Sequence, residues 1–176
     1  AHAKQAGAGT KWDKETDVLV IGYGGAGACA AIEAHDKGSK VLIIEKMAQP
    51  GGNTAISSGG FMVPQDGPTA LKYLTATYDL ANSEKDDELL NTFCKEIMGV
   101  KDWMTGLKEG TELWVYGHAG FQNLPGWEVI DKYRVRGKKR SGDCLFDLYR
   151  YAVEEKRNIP VMLETPAVQL IQKDGQ

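Results

Sequence analysis

Three cysteines are all that the 176 residues contain. Cys29, Cys94 and Cys144 are widely spaced and cannot all pair within one chain, and neither a CxxC nor a CxxCH is present for metal or haem. The expectation is three buried free thiols. Charge of one sign is also lacking: the net charge is −3 with acids and bases mixed throughout. No basic field exists to gather a nucleic-acid backbone, so nucleic acid is excluded as an expected partner. No apolar run approaches the roughly 20 residues of a membrane-spanning helix, so no span is expected, and residues 1–10 lack the apolar centre of a signal peptide. The reading is a soluble chain, cytoplasmic or periplasmic after export.

Glycine, by contrast, is plentiful at 21 residues, and its placement carries the argument. Residues 1–12 read as a flexible tail, because Ala and Gly offer too little side chain to offset the entropy of ordering. From 13 to 176 the chain reads as one main domain. Val18-Leu19-Val20-Ile21 suits a strand covered on both faces of a parallel sheet. Small residues at helical spacing predict a helix over Gly25–Lys37, stopped at Gly38. Lys40–Glu45 is a second buried strand, which completes a right-handed βαβ unit.

Met47–Gly60 reads as loop by composition. Helical patterns follow over Thr69–Ala81 and Glu88–Leu107, with Ser83 and Asp86 as N-cap candidates. Gly117–Gly142 reads as irregular and polar, its basic stretch Arg134, Arg136, Lys138, Lys139 and Arg140 as solvated. Cys144–Lys156 is a helix candidate, and Val161–Glu164 and Val168–Ile171 read as strands. Asp174-Gly175 then reads as a hairpin turn without its return strand, so the fold looks cut short.

Gly22-Tyr23-Gly24-Gly25-Ala26-Gly27 fits G-x-G-x-x-G between a strand and a helix, where each glycine has a reason. The first permits the tight turn, the second a close approach of backbone to a pyrophosphate, and the third close packing of the helix. The helix N-terminus offers N–H groups and a positive dipole end to the phosphates. Glu45, at the end of the second strand, stands near the distance expected of an acid that binds ribose hydroxyls, and it repels a 2′-phosphate. These features leave NAD and FAD both open.

The choice comes from resemblance. Glu45-Lys46 and the segment Gly51-Gly52-Asn53-Thr54-Ala55-Ile56-Ser57-Ser58-Gly59-Gly60-Phe61 resemble the fumarate reductase and succinate dehydrogenase flavoprotein family. The likeness is to its soluble branch of flavocytochrome-type fumarate reductases, urocanate reductases and 3-ketosteroid dehydrogenases. It extends to the lead-in Trp12–Gly22, to Ser83–Leu107, and to the helix and strand pair of Cys144–Asp174.

The resemblance implies an α/β, Rossmann-like FAD-binding domain of glutathione-reductase type, apparently truncated. It also implies residue roles. Gly22, Gly24, Gly25, Ala26 and Gly27 would form the pyrophosphate turn, and Glu45 and Lys46 would lie by the adenosine ribose. Gly51, Gly52, Asn53 and Thr54 would line the phosphates and ribityl chain, with Ala55, Ser57, Gly59 and Gly60 toward the flavin ring. Val168 would offer its backbone to the adenine. A histidine that bonds covalently to flavin in the membrane-complex branch is Asn53 here, so FAD would be held noncovalently.

Hydride transfer at a C=C or CH–CH bond is the implied chemistry, on an unsaturated acid or a steroid-like enone. The substrate domain and the second flavin segment are absent, and no catalytic residue is assigned. His118, Tyr116, Tyr133 and Arg134 could touch substrate but read more readily as surface or packing residues. The alternative is a non-catalytic nucleotide-binding module that needs a companion chain.

Overall fold

The computed structural model describes residues 4–5 and 12–172. The expected tail, apart from residues 4, 5 and 12, and the expected turn at Asp174-Gly175 lie outside the described residues. The chain divides into two compact units, one of residues 1–53 with 149–176 and the other of residues 54–148.

The first unit is built on parallel strands. Strand β1 (Lys4–Gln5) precedes β2 (Val18–Ile21), helix α1 (Gly25–Asp36) and β3 (Val41–Ile44). β2 pairs with β3 in register from Val18↔Val41 to Ile21↔Ile44, so the expected strand-helix-strand unit is present. α1 forms because Ala28, Ala31 and Ile32 fall on one face and bury there. Its end is a Schellman motif: Gly38, at φ +90°, donates to His35 O at 2.9 Å and Ser39 donates to Ala34 O at 3.1 Å.

One expectation is corrected in β2. Val20 is buried and stands against Gly27 of α1, but Leu19 and Ile21 are 46% and 53% exposed. Alternation sends these two side chains to the other face of an edge strand, and only one face is covered. β3, in the middle of the sheet, does have the continuous buried run, Val41, Leu42 and Ile43.

The second unit holds an antiparallel sheet and several helices. The glycine-rich loop is corrected first, since Gly52–Ile56 is helical (α2) and crosses from one unit into the other. β4 (Phe61–Pro64) follows, then α3 (Gly67–Leu80), whose start is fixed by Asp66 accepting from Thr69 N–H at 3.0 Å. The long helical pattern at Glu88–Leu107 becomes α4 (Asp87–Glu96), a tight turn at Ile97–Gly99 and α5 (Val100–Gly106). Asp86 is the N-cap, accepting from Leu89 N–H at 2.9 Å, and Ser83 is not.

β5 (Leu113–His118) and β6 (Ile130–Val135) complete the sheet in the order β4-β6-β5. Both enter the stretch expected to be irregular at Gly117–Gly142. β6 has polar residues between buried Ile130 and Val135, so its pattern is that of a central strand of mixed polarity rather than a loop. Ala70, Tyr73, Cys94, Ala119 and Ile130 form one buried apolar cluster of this unit.

α6 (Ser141–Arg150) and a π-turn at Tyr151–Glu155 fill the last helix candidate. In the first unit β7 (Val161–Met162) pairs with β3, and β8 (Ile171–Gln172) pairs with β1. The expected strand at Val168–Ile171 shrinks to its last residue and the one after, and Val168 lies outside it at 91% exposure.

Candidate dinucleotide site

The glycine turn departs from β2 with Gly22 at φ +98°, a conformation that a side chain rarely adopts. Gly22 N–H still closes the ladder on Ile44 O at 2.8 Å, so the turn begins at the last rung of the sheet. A Cβ on Gly27 would overlap the Gly22 carbonyl and come within 3.3 Å of Val20. The third glycine therefore serves close helix packing, as its position requires. Gly24 is the N-cap of α1 with no side chain to cap it, and no acid stands in the first turn. The positive dipole end of α1 therefore has no acidic side chain of its own first turn beside it.

The second glycine loop lies beside the first. Gly51 N–H donates to Tyr23 O at 2.7 Å, Gly24 and Gly51 form a bridge, and the Cβ position of Gly52 is 3.9 Å from Gly24 Cα. Gly51 and Gly52 both have positive φ, +116° and +48°, which is why two glycines stand there.

Glu45 completes the arrangement. Its side chain is 8% exposed, with Oε2 accepting from Tyr23 N–H at 2.7 Å and Oε1 from Met47 N–H at 2.8 Å. Those two backbone donors, Tyr23 first, hold the carboxyl below the usual carboxylate range against the opposing effect of burial. Each oxygen retains a second lone pair for a hydroxyl donor. A groove of about 270 Å³ opens next to it, bordered by Ile21, Gly22, Ile44, Glu45 and Lys46 and by residues 165–167. Val168 stands just past that border. The neighbours Thr165, Pro166 and Ala167 line the groove instead, a detail that the strand pattern did not signal.

Thr54, Ala55, Ser57, Gly59 and Gly60 belong to the second unit. Ser57 Oγ donates to Thr54 O at 2.8 Å and accepts from Gly59 N–H at 2.9 Å. A Cβ on Gly59 would strike the Ser141 carbonyl, and one on Gly60 the Tyr116 hydroxyl. Protein packing is thus sufficient reason for these two glycines.

The other singled-out residues make contacts within the antiparallel sheet. Arg134 lies 3.9 Å over the Tyr116 ring, and buried Asp131 takes His118 Nδ1 at 3.1 Å, Tyr133 OH at 3.3 Å and Gln65 Nε2 at 3.1 Å. The basic stretch is largely paired, Arg136 with Glu112, Lys139 with Asp147 and Arg140 with Asp143. The cysteines are free thiols, Cys94 and Cys144 buried and Cys29 half-buried. Among the described residues no group of three or more His, Cys, Asp or Glu could hold a metal, and no helix is long and apolar enough to cross a membrane.

Residues 17–176 match the FAD binding domain model. The chain belongs to that family. An acrylate reductase flavoprotein subunit from Shewanella woodyi is 60% identical over 57 residues, 32% of this chain and 11% of that protein. A fumarate reductase (cytochrome) from Shewanella frigidimarina is 31% identical over 167 residues, 90% of this chain and 28% of that protein. The chain spans under a third of the length of these curated relatives. In fold it is similar to a 3-ketosteroid-Δ4-(5α)-dehydrogenase from Rhodococcus jostii RHA1, with a TM-score of 0.76 at 21% identity over 99% of this chain and 43% of that one.

The chain is therefore an FAD-binding domain of fumarate reductase-like flavoenzymes. The first unit brings together the glycine turn at the start of α1, Gly51 and Gly52, and buried Glu45 beside a groove.

Proposed function

We propose that residues 13–176 form the N-terminal, glutathione-reductase-like part of a two-electron oxidoreductase that transfers hydride to or from a C=C or CH–CH bond. The observation that carries this reading is the junction of the two glycine loops at Gly24 and Gly51 beside buried Glu45. FAD supplies the hydride chemistry when bound, and the protein supplies position and electrostatics.

Within that reading, Gly22, Gly24, Gly25, Ala26 and Gly27 receive the pyrophosphate through backbone N–H groups and the dipole of α1. Glu45 accepts from the ribose hydroxyls while Lys46 stands at the mouth of the groove. Gly51, Gly52, Asn53 and Thr54 serve the phosphates and ribityl chain, and Ala55, Ser57, Gly59 and Gly60 the ring. Val168 and its groove-lining neighbours serve the adenine. The substrate class is an unsaturated acid or a steroid-like enone. The named activities of the acrylate and fumarate reductases support the acid.

Asn53 stands where a covalent attachment would need an imidazole, and no histidine occurs between Glu45 and Phe61. FAD is accordingly held noncovalently. Acid precipitation of the FAD-loaded protein should leave all yellow colour in the supernatant. Colour that pellets with the protein would overturn noncovalent attachment, and failure to take up FAD at all would overturn the site.

A further inference from the structure

Two glycines meet where the segment assigned to the flavin ring touches the start of α6. A Cβ on Gly142 would overlap three carbonyl oxygens at once, those of Thr54 at 2.7 Å, Ala55 at 2.6 Å and Ser57. From the opposite side, a Cβ on Gly59 would overlap the Ser141–Gly142 peptide. Both glycines are buried, and Gly59 stands at φ +63°. Backbone thus meets backbone in both directions, with no side chain between them that could yield.

The segment that docks there is tied into one piece. Ser57 Oγ donates to Thr54 O at 2.8 Å and accepts from Gly59 N–H at 2.9 Å, and Ser57 N–H donates to Thr54 O at 3.3 Å. What it rests on is fixed as well, because α6 buries Cys144, Leu145, Phe146 and Leu148. The first turn of a helix carries backbone N–H groups without partners inside the helix, so carbonyl oxygens gathered at that end are favoured. A close-packed junction of this kind passes a displacement on rather than absorbing it. The depth at which residues 54–59 sit is therefore set at Gly142.

We propose that Gly142 is a positioning residue for the flavin: by lacking a side chain it seats the Thr54–Gly59 turn on α6 at the depth from which that turn meets the ring. This rests on the FAD reading of the site. The experiment uses the whole chain as wild type, Gly142→Ala and Gly126→Ala. Gly126 controls for general destabilisation, since it stands at φ +86° and its Cβ would overlap the Thr69 carbonyl at 2.6 Å, outside the turn and α6. FAD and ADP affinities are measured by titration, and amide hydrogen exchange without ligand and with each nucleotide.

Wild type should prefer FAD to ADP about three- to tenfold, and Gly142→Ala should reduce that preference to within about twofold of unity while binding ADP as wild type does. Gly126→Ala should lower the melting temperature and keep the wild-type preference. In wild type, FAD but not ADP should slow exchange at Gly59, Gly60 and Ser141–Asp143, a result that decides the matter even where a variant fails to fold. A wild type without preference, a Gly142→Ala chain that keeps it, equal losses of FAD and ADP, or the same lost preference in Gly126→Ala would overturn the proposal. Amides at 141–143 that do not respond to FAD would overturn it too, and the FAD reading would still stand if both nucleotides bind. A wild-type chain that binds neither nucleotide refutes the FAD reading and this role with it.

Discussion

Glu45 joins two tasks that pull in the same direction. Its oxygens hold Tyr23 and Met47 N–H groups, which shapes the turn, and the residue borders the groove proposed above for a ribose. Hydrogen bonds to a charged acceptor contribute on the order of 1.5–3 kcal/mol each, so Glu45→Ala should weaken FAD about tenfold or more in a titration. An unchanged dissociation constant would remove Glu45 from the site. The same carboxyl gives the ligand-free fold a pH dependence. Backbone bonds depress its pKa in the folded state, so the folded state favours ionised Glu45. That contribution is complete above the usual glutamate value of about 4.3 and is lost as pH falls through the lower folded value. Denaturant melts between about pH 5 and 3 should fall more steeply for wild type than for Glu45→Gln, whose amide does not titrate.

At the scale of the element, α1 separates two uses of glycine. Gly27, at its start, has no room for a Cβ because the Gly22 carbonyl is in the way, whereas Gly38, at its end, is open on all sides but sits at φ +90°. Gly27→Ala should cost about 1–3 kcal/mol by overpacking and also weaken FAD, because the carbonyl that must move belongs to the turn itself. Gly38→Ala should cost about 1–2 kcal/mol of backbone strain and leave FAD affinity unchanged, being at the far end of the helix. A Gly27→Ala protein with wild-type affinity, or a Gly38→Ala protein with lowered affinity, would show that the packing of α1 does not set the site.

These contrasts also explain how far the sequence could be followed. The run at Val18–Ile21, the alanine spacing of α1 and the glycine at its end were legible because each is a local cause with a local effect. α2 was hidden by its own glycines, since Gly51 and Gly52 read as loop although positive φ at both leads directly into a helical turn. β6 was hidden because it pairs on both sides, so its hydrogen bonds come from β4 and β5 rather than from any signal in its polar residues. The groove border at 165–167 lies against Gly22 and Glu45 from far along the chain, a pairing that no local window contains.

On the scale of the molecule, the proposed FAD site is most fully formed on its ADP side. The Gly22–Gly27 turn, Gly51, Gly52, Glu45 and the groove at 165–167 all belong to the first unit, to which the proposal assigns the phosphates and a ribose. For Gly59 and Gly60, the positions assigned to the ring, contacts with Ser141 and Tyr116 already explain the missing side chains. An apolar ring adds affinity only when it is removed from water, at about 25 cal/mol per Å² buried. Reaction at such a ring further depends on groups that exclude water and hold a substrate, and none is identified among the described residues. The chain by itself should therefore bind FAD no more than about tenfold tighter than ADP, a margin of about 1.4 kcal/mol. It should also show no turnover with reduced methyl viologen and fumarate, urocanate or a steroid enone. Calorimetric titration with both nucleotides measures the first expectation, and a viologen bleaching assay measures the second. FAD binding a thousandfold tighter than ADP would mean that this chain already encloses the ring. Sustained turnover, with no second polypeptide in the sample by mass spectrometry, would move the search for chemistry to Asp131, His118 and Arg134 on the antiparallel sheet.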